Sequence, residues 1–183
     1  MARRDDVLEA AIGLLDEVGL DGLTMRVLAG RLGVRASALY RHYASKQDLL
    51  DAMVAHLVSP PEGAELPPDP LPPWDQLLPA AATGAREVML AHRDGARLLS
   101  TFHKPGTEAL ASFHALIGSL IAAGIDENAA AVAVDTVFAY VNGVTIEEQA
   151  RKAGSPIWPR ERRDRVFEEG LALIIAGIAS TLP

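Results

Sequence analysis

From Thr24 to Lys46 the chain carries Arg26, Arg31, Arg35, Arg41 and Lys46 and not one Asp or Glu. Five uncompensated cations in so short a stretch suit the neutralisation of a phosphate backbone, an attraction that acts over about a Debye length of ~8 Å. Ser37, Tyr40 and His42 lie among them and can hydrogen-bond phosphate oxygens or base edges. Catalytic chemistry is poorly served by comparison. There is no Gly-x-Ser-x-Gly elbow, no phosphate-binding glycine loop and no cysteine to act as nucleophile. Nothing recommends a His–acid pair such as His103 with Glu108, so an enzyme is not expected. His92, His103 and His114 recur eleven residues apart, but Gly95 and Gly106 break any shared helical face, and no metal site or other cofactor is expected.

The formal net charge of −7 argues against a nucleic-acid partner until its distribution is considered. Beyond residue 50 there are ten Lys/Arg against seventeen Asp/Glu, so the acidity belongs to the second part of the chain. The N-terminal Arg3-Arg4 is followed by Asp5 and Asp6 where a signal peptide needs an apolar run. The apolar stretches Ala109 to Ile125 and Leu171 to Leu182 fall short of a membrane span and read as buried helices. A cytoplasmic protein with no membrane partner is expected.

The elements that must position the basic residues are helices. Val7, Leu8, Ala11, Leu14, Leu15 and Val18 recur at helical spacing up to Gly19. Thr24 caps a second helix with Val27, Leu28 and Leu32 facing one way, ended by Gly33. A third runs from about Ala36 to Tyr43. Ser45 opens a fourth, with Asp48 in a capping-box position, that continues to about Val58. Residues 59–73 hold seven of the twelve prolines and form a semi-rigid connector. Helices follow at about 74–92, 94–102, 107–123, 126–153 and 160–180, with Asp94 and Asp126 as N-caps. Pro79 sits early in its helix or kinks it. The expected fold is all-α: a three-helix helix-turn-helix head over 1–50, and a helical-bundle body over 51–183 for ligand binding and dimerisation.

In a helix-turn-helix the first helix braces the second, which enters the major groove. Ala29 and Gly30 allow close helix approach, Gly33 supplies a left-handed turn residue and Val34 plugs the angle. Leu39 faces the core, leaving Ser37, Ala38, Arg41 and His42 free to face DNA. Arg31 points off the back of its helix as a solvated charge, and Tyr43 packs the small core.

The run Gly22-Leu23-Thr24-Met25-Arg26-Val27-Leu28-Ala29-Gly30-Arg31-Leu32-Gly33-Val34, followed by Ala38-Leu39-Tyr40-Arg41-His42-Tyr43 and Lys46, resembles the DNA-binding domain of TetR-family repressors. That resemblance covers roughly residues 6 to 52. It implies that Thr24 and Arg26 approach DNA from the bracing helix. Ala36, Ser37, Ala38 and Arg41 would lie over base edges, Tyr40 and His42 would touch phosphates, and Lys46 would clamp the backbone. Arg35, inside the acid-free stretch, joins this DNA-binding set. The body, in His92-Arg93-Asp94-Gly95-Ala96-Arg97 and Gly143-Val144-Thr145-Ile146-Glu147-Glu148-Gln149, resembles the tetracycline-repressor branch of that family. The resemblance implies a dimerising body around a small-molecule pocket. Glu147 matches an acidic metal-shell position of that branch. Ser100 or Leu99 stands where the branch has a metal-binding histidine, which argues against a magnesium–tetracycline complex.

Candidates to line the pocket are Phe102, His103, Pro105, Phe113, Leu116, Ile117, Phe138, Asn142 and Glu147. For the dimer, Val134, Val137, Phe138 and Val141 form one apolar stripe. Phe167, Leu171, Ile174, Ile175 and Ile178 form a second, with Gly170 and Gly177 for close approach. Two helices per chain would give a four-helix interface, since one head reads only a half-site. Burial of the same stripes within one chain is the less favoured alternative. The expected partners are double-stranded operator DNA, a small apolar or aromatic effector and a second copy of the chain. The expected function is ligand-responsive transcriptional regulation, as a repressor. The alternative is a small-molecule-binding or scaffold protein whose head no longer binds DNA.

Overall fold

The computed structural model describes residues 3–59, 70–104, 106–151 and 158–182. Among the described residues every regular element is a helix, as the periodicities predict. These are α1 (Arg4–Gly22), α2 (Met25–Arg31), α3 (Ala36–Leu39), α4 (Lys46–Val58), α5 (Trp74–Ala91), α6 (Gly95–Leu99), α7 (Thr107–Ala122), α8 (Glu127–Arg151) and α9 (Arg160–Ala179). Contacts gather them into two compact units, one of described residues up to 59 together with those of 88–106, the other of 60–87 together with 107–183. The sequence places a boundary after residue 50. The structure adds the rest of α4, the last turn of α5, α6 and the loop that follows to the head.

Within the head, α1 buries Val7, Ala11, Leu14 and Leu15, a spacing that puts all four on one face. Gly19 breaks the helix with φ 74°, and the chain resumes helical geometry as far as Gly22. The Leu20 N–H freed by this break donates to Asp94 Oδ2 at 2.9 Å. Asp94 occupies the N-cap position of α6 expected from sequence, but with φ 56° and no side-chain cap bond to that helix. One oxygen of its carboxylate serves α1, and the other faces Arg97 on α6 at 3.6 Å.

Short-range capping follows the sequence reading closely. Thr24 Oγ1 accepts from the Val27 N–H at 3.2 Å, and Ser45 Oγ accepts from the Asp48 N–H at 3.0 Å. Gly33, with φ 65°, makes the turn between α2 and α3. Two details differ. On α2 the buried residues are Met25, Leu28 and Ala29, while Val27 is exposed. And α3 is helical only over Ala36–Leu39, because the chain then tightens into a turn in which the His42 N–H donates to Leu39 O at 2.9 Å.

The body brings the largest correction. Val134, Val137 and Val141 on α8, with Phe167, Leu171 and Ile178 on α9, are buried within the single chain. The stripes expected at a dimer interface are therefore mostly its own core. Tyr140 stacks on Phe167 with ring centroids 6.0 Å apart, and its hydroxyl donates to the carbonyls of Val166 and Phe167, each at 3.1 Å. Gly170 lies under that hydroxyl, where a Cβ would overlap it, so this glycine serves packing inside the chain. The apolar surface left open is a different one: Val132, 64% exposed, leads Thr136, Ala139 and Gly143 on one face of α8, and Leu173, 75% exposed, adjoins Ala176 and Gly177 on α9. Helix α8, rather than either stretch singled out from sequence, is long and apolar enough to cross a membrane by length and composition. Its apolar residues are divided between the buried face and this open one.

Candidate nucleic-acid interface

Three elements of the head carry the basic residues. Thr24 and Arg26 open α2. Arg35 precedes α3, which with its turn carries Ala36, Ser37, Ala38, Tyr40, Arg41 and His42, and Lys46 begins α4. Thr24, Arg26, Arg35, Ser37, Tyr40 and Arg41 are exposed, and Ala36, Ala38, His42 and Lys46 are half-buried. Leu39 and Tyr43 are buried beneath them and fix the turn from below. Ala36 and Ala38 offer only methyl groups, suited to thymine methyls, so the hydrogen-bonding side chains of α3 and its turn are Ser37, Tyr40, Arg41 and His42.

The five cations are not equivalent. Arg31 donates to Glu17 on α1, so its charge is answered within the head. Lys46 Nζ donates to the Leu20 carbonyl across a long 3.4 Å bond, which a phosphate oxygen would have to displace or share. Arg26, Arg35 and Arg41 make no ion pair among the described residues. They are the guanidinium groups ready for an external anion.

The segment after α6 is bound to the same unit. Gln47 Nε2 donates to Thr101 O at 2.8 Å, and the His103 N–H donates to Asp51 Oδ1 at 2.9 Å. Burial would push the Asp51 carboxyl up, yet the hydrogen bonds from His103 and Gln47, with the charges of His103 and Lys104, hold it below its usual value. Phe102 and His103, expected to line an effector pocket, thus belong to the head and are exposed. Pro105 lies outside the described residues.

The other pocket candidates lie in the body. Leu116 is buried, Phe113, Ile117, Phe138 and Asn142 are half-buried, and exposed Glu147 pairs with Arg151 at 3.0 Å. Asn142 Oδ1 is buried and has no hydrogen-bond partner among the described residues. A cavity of about 240 Å³ in this unit is lined by Val144, Glu147, Glu148, Arg151, Trp158, Arg163 and Val166, so only Glu147 of the expected set reaches it. Beside it lies an ionic cluster that the sequence reading missed. Arg86 donates to Glu148 at 2.8 Å and to Asp164 at 2.9 Å, Arg163 donates to Glu148, and Arg86 and Glu148 are buried. The available signal was Arg86, the one basic residue of α5, at the end of the uncharged run from Gln76 to Ala85. Among the described residues no group of His, Asp or Glu side chains is arranged to hold a metal ion.

A helix-turn-helix with an acid-free basic stretch, and a body that is helical among the described residues and has an open apolar face, define a DNA-binding regulator of two-part design. Residues 7–53 match bacterial regulatory proteins of the tetR family, and residues 66–163 match the tetracyclin repressor-like C-terminal domain. The chain is 35% identical over 193 residues to the class A tetracycline repressor from transposon 1721 of Escherichia coli, an alignment covering 94% of this chain and 88% of that one. A TetR variant from Acinetobacter baumannii AYE, solved in complex with minocycline, superposes with a TM-score of 0.84 at 32% identity, covering 100% of this chain and 99% of that one. BioQ bound to its natural double-stranded DNA operator gives 0.75 at 32% identity, covering 98% and 99%. The chain belongs to the TetR family. Members of that family bind operator DNA, respond to small-molecule effectors and act as dimers, and this chain is a DNA-binding transcriptional regulator of that kind.

Proposed function

We propose that this protein is a repressor that holds its operator through Arg26, Arg35 and Arg41, with Thr24, Ser37, Tyr40, His42 and Lys46 as positioning contacts. The observation that carries this reading is the asymmetry among the cations. Arg31 is neutralised by Glu17, while the three arginines on the α2–α3 side make no ion pair among the described residues. Unpaired guanidinium groups lose no internal partner on meeting a phosphate or a guanine edge. Arg41 reads a base and the others position the head. Arg41→Ala is expected to weaken binding to the chain's own promoter DNA by about 1–3 kcal/mol, roughly five- to 150-fold, with relaxed discrimination at one base pair per half-site. Unchanged affinity in a gel-shift titration would defeat the assignment.

Two copies would join through the open faces of α8 and α9, around Val132 and Leu173, in place of the stripes read from sequence. Small residues there, Ala139, Gly143, Ala176 and Gly177, let two such faces approach closely. Leu173→Glu would place a carboxylate in that interface and is expected to yield monomers by sedimentation.

The effector is a small apolar or aromatic molecule bound in the body near Phe113, Phe138 and Asn142. The unsatisfied Asn142 Oδ1 supports this, because a buried acceptor without a donor costs about 1–3 kcal/mol until something supplies one. A thermal-shift screen of aromatic compounds tests it. A hit that stabilises the chain, releases DNA and loses its effect in Asn142→Leu is the expected result.

A further inference from the structure

The acid-free stretch does not contain every cation available to DNA. Arg4, the first residue of α1, is exposed, and its guanidinium lies 5.2 Å from the ring centroid of Tyr43. The buried Tyr43 hydroxyl donates back to Arg4 O across a long 3.4 Å bond. Arg4 and His42 both line an open groove of about 410 Å³. His42 directly follows Arg41, at the end of the recognition turn.

The nearby acids have other partners. Asp5 pairs with Arg3 at 3.7 Å, and Asp6 accepts the Arg3 N–H at 2.7 Å. In the groove, Asp48 accepts from Ser45 and faces Lys104 at 4.0 Å, while Asp51 accepts from His103 and Gln47. None of them forms an ion pair with Arg4 among the described residues. Asp48 and Asp51 in the groove would repel a phosphate, whereas the exposed Arg4 guanidinium would attract one. A guanidinium resting on an aromatic ring is held in place yet keeps its N–H donors free at the edge.

We propose that Arg4 is a further DNA contact, which with His42 holds one backbone phosphate per half-site beside the end of the recognition turn. The proposal rests on the DNA-binding reading of the head and adds α1 to the elements that touch DNA. Base edges are read mainly from the start of a recognition helix, so a contact beside its end serves affinity on any sequence.

The test measures affinity for the chain's promoter DNA and for a scrambled duplex across a potassium chloride series. It compares wild type, Arg4→Met, which keeps an apolar stem on Tyr43, and Arg4→Lys, which keeps the charge. Arg4→Met is expected to lower affinity on both duplexes alike. It should also flatten the plot of log K against log salt by about 0.9 for each phosphate lost, roughly 1.8 for a two-headed complex. Arg4→Lys should restore most of the slope, and phosphate ethylation should stop interfering at one position per half-site only in Arg4→Met. Salt-dependent binding by wild type with the same slope in Arg4→Met would overturn the proposal and leave Arg4 as a packing residue on Tyr43. If wild type itself shows no salt-dependent binding, the DNA reading falls and the Arg4 contact with it.

Discussion

The head and the body both use arginine–carboxylate clusters, on opposite sides of the solvent boundary. In the head, Arg97 meets Asp21 at 2.9 Å with the Asp21 side chain 84% exposed, and His92 meets Asp16 at 3.0 Å. Arg93 adds bonds from its backbone N–H to Asp16 and from its guanidinium to the Glu17 carbonyl. In the body, Arg86 and Glu148 are each only 8% exposed, and the Arg86 guanidinium also packs 4.8 Å from the Phe167 ring centroid. Water competes for most contacts of the first cluster and hardly reaches the Arg86–Glu148 pair of the second. The first can be made and remade at small cost, whereas the second works only while complete.

Breaking the body cluster from one side should have the largest effect. Arg86→Ala leaves Glu148 buried with only Arg163 and is expected to destabilise the chain by about 3–5 kcal/mol in chemical denaturation. The double variant Arg86→Met with Glu148→Leu, which removes both buried charges, should recover much of that loss. No recovery would mean that the pair stabilises the body outright.

A smaller change is expected where the head cluster touches backbone. Asp94→Ala leaves the Leu20 N–H without its acceptor and places alanine at φ 56°, for a loss of about 1–3 kcal/mol. Asp94→Asn keeps an acceptor and tolerates that backbone, so it should retain most of the stability. Arg97→Ala, at the exposed end of the cluster, should cost below about 1 kcal/mol, and the difference should fade in molar salt. A loss as large as that of Arg86→Ala would erase the contrast between the clusters.

The slightest change is expected in the acid limb of head stability. The folded-state pKa of Asp51 lies below its unfolded value. Its contribution is therefore present above the unfolded pKa and is lost as pH falls through the folded one. Asp51→Asn should flatten that limb, as read by thermal melts through the carboxylate range.

What sequence revealed was local. Thr24, Gly33 and Ser45 act within three residues of themselves, so the helix-turn-helix could be placed from its caps and turn. Long-range pairing was not legible. Periodicity shows that Val134, Val137 and Val141 share a face but not what covers it, and the cover is the same chain, in which α7 and α9 both pack on α8, rather than a second copy. Asp94 sits where an N-cap belongs, yet its carboxylate reaches a backbone N–H 74 positions earlier in the chain. The acid-free stretch overstated one cation and omitted another for the same reason. Glu17 answers Arg31 from α1, and Arg4 reaches Tyr43 from 39 residues away.

The borrowed segment 88–106 bears on anyone wishing to transplant the reading head. A fragment ending at Ser59 would contain every residue of the DNA-binding set and still be an incomplete object. It would lack the carboxylate that receives the Leu20 N–H, the backbone donor to Asp51 and the buried side chains of Leu98 and Leu99. Chimeras that exchange operator specificity between relatives should therefore be cut as two pieces, carrying 88–106 along with the first 59 residues.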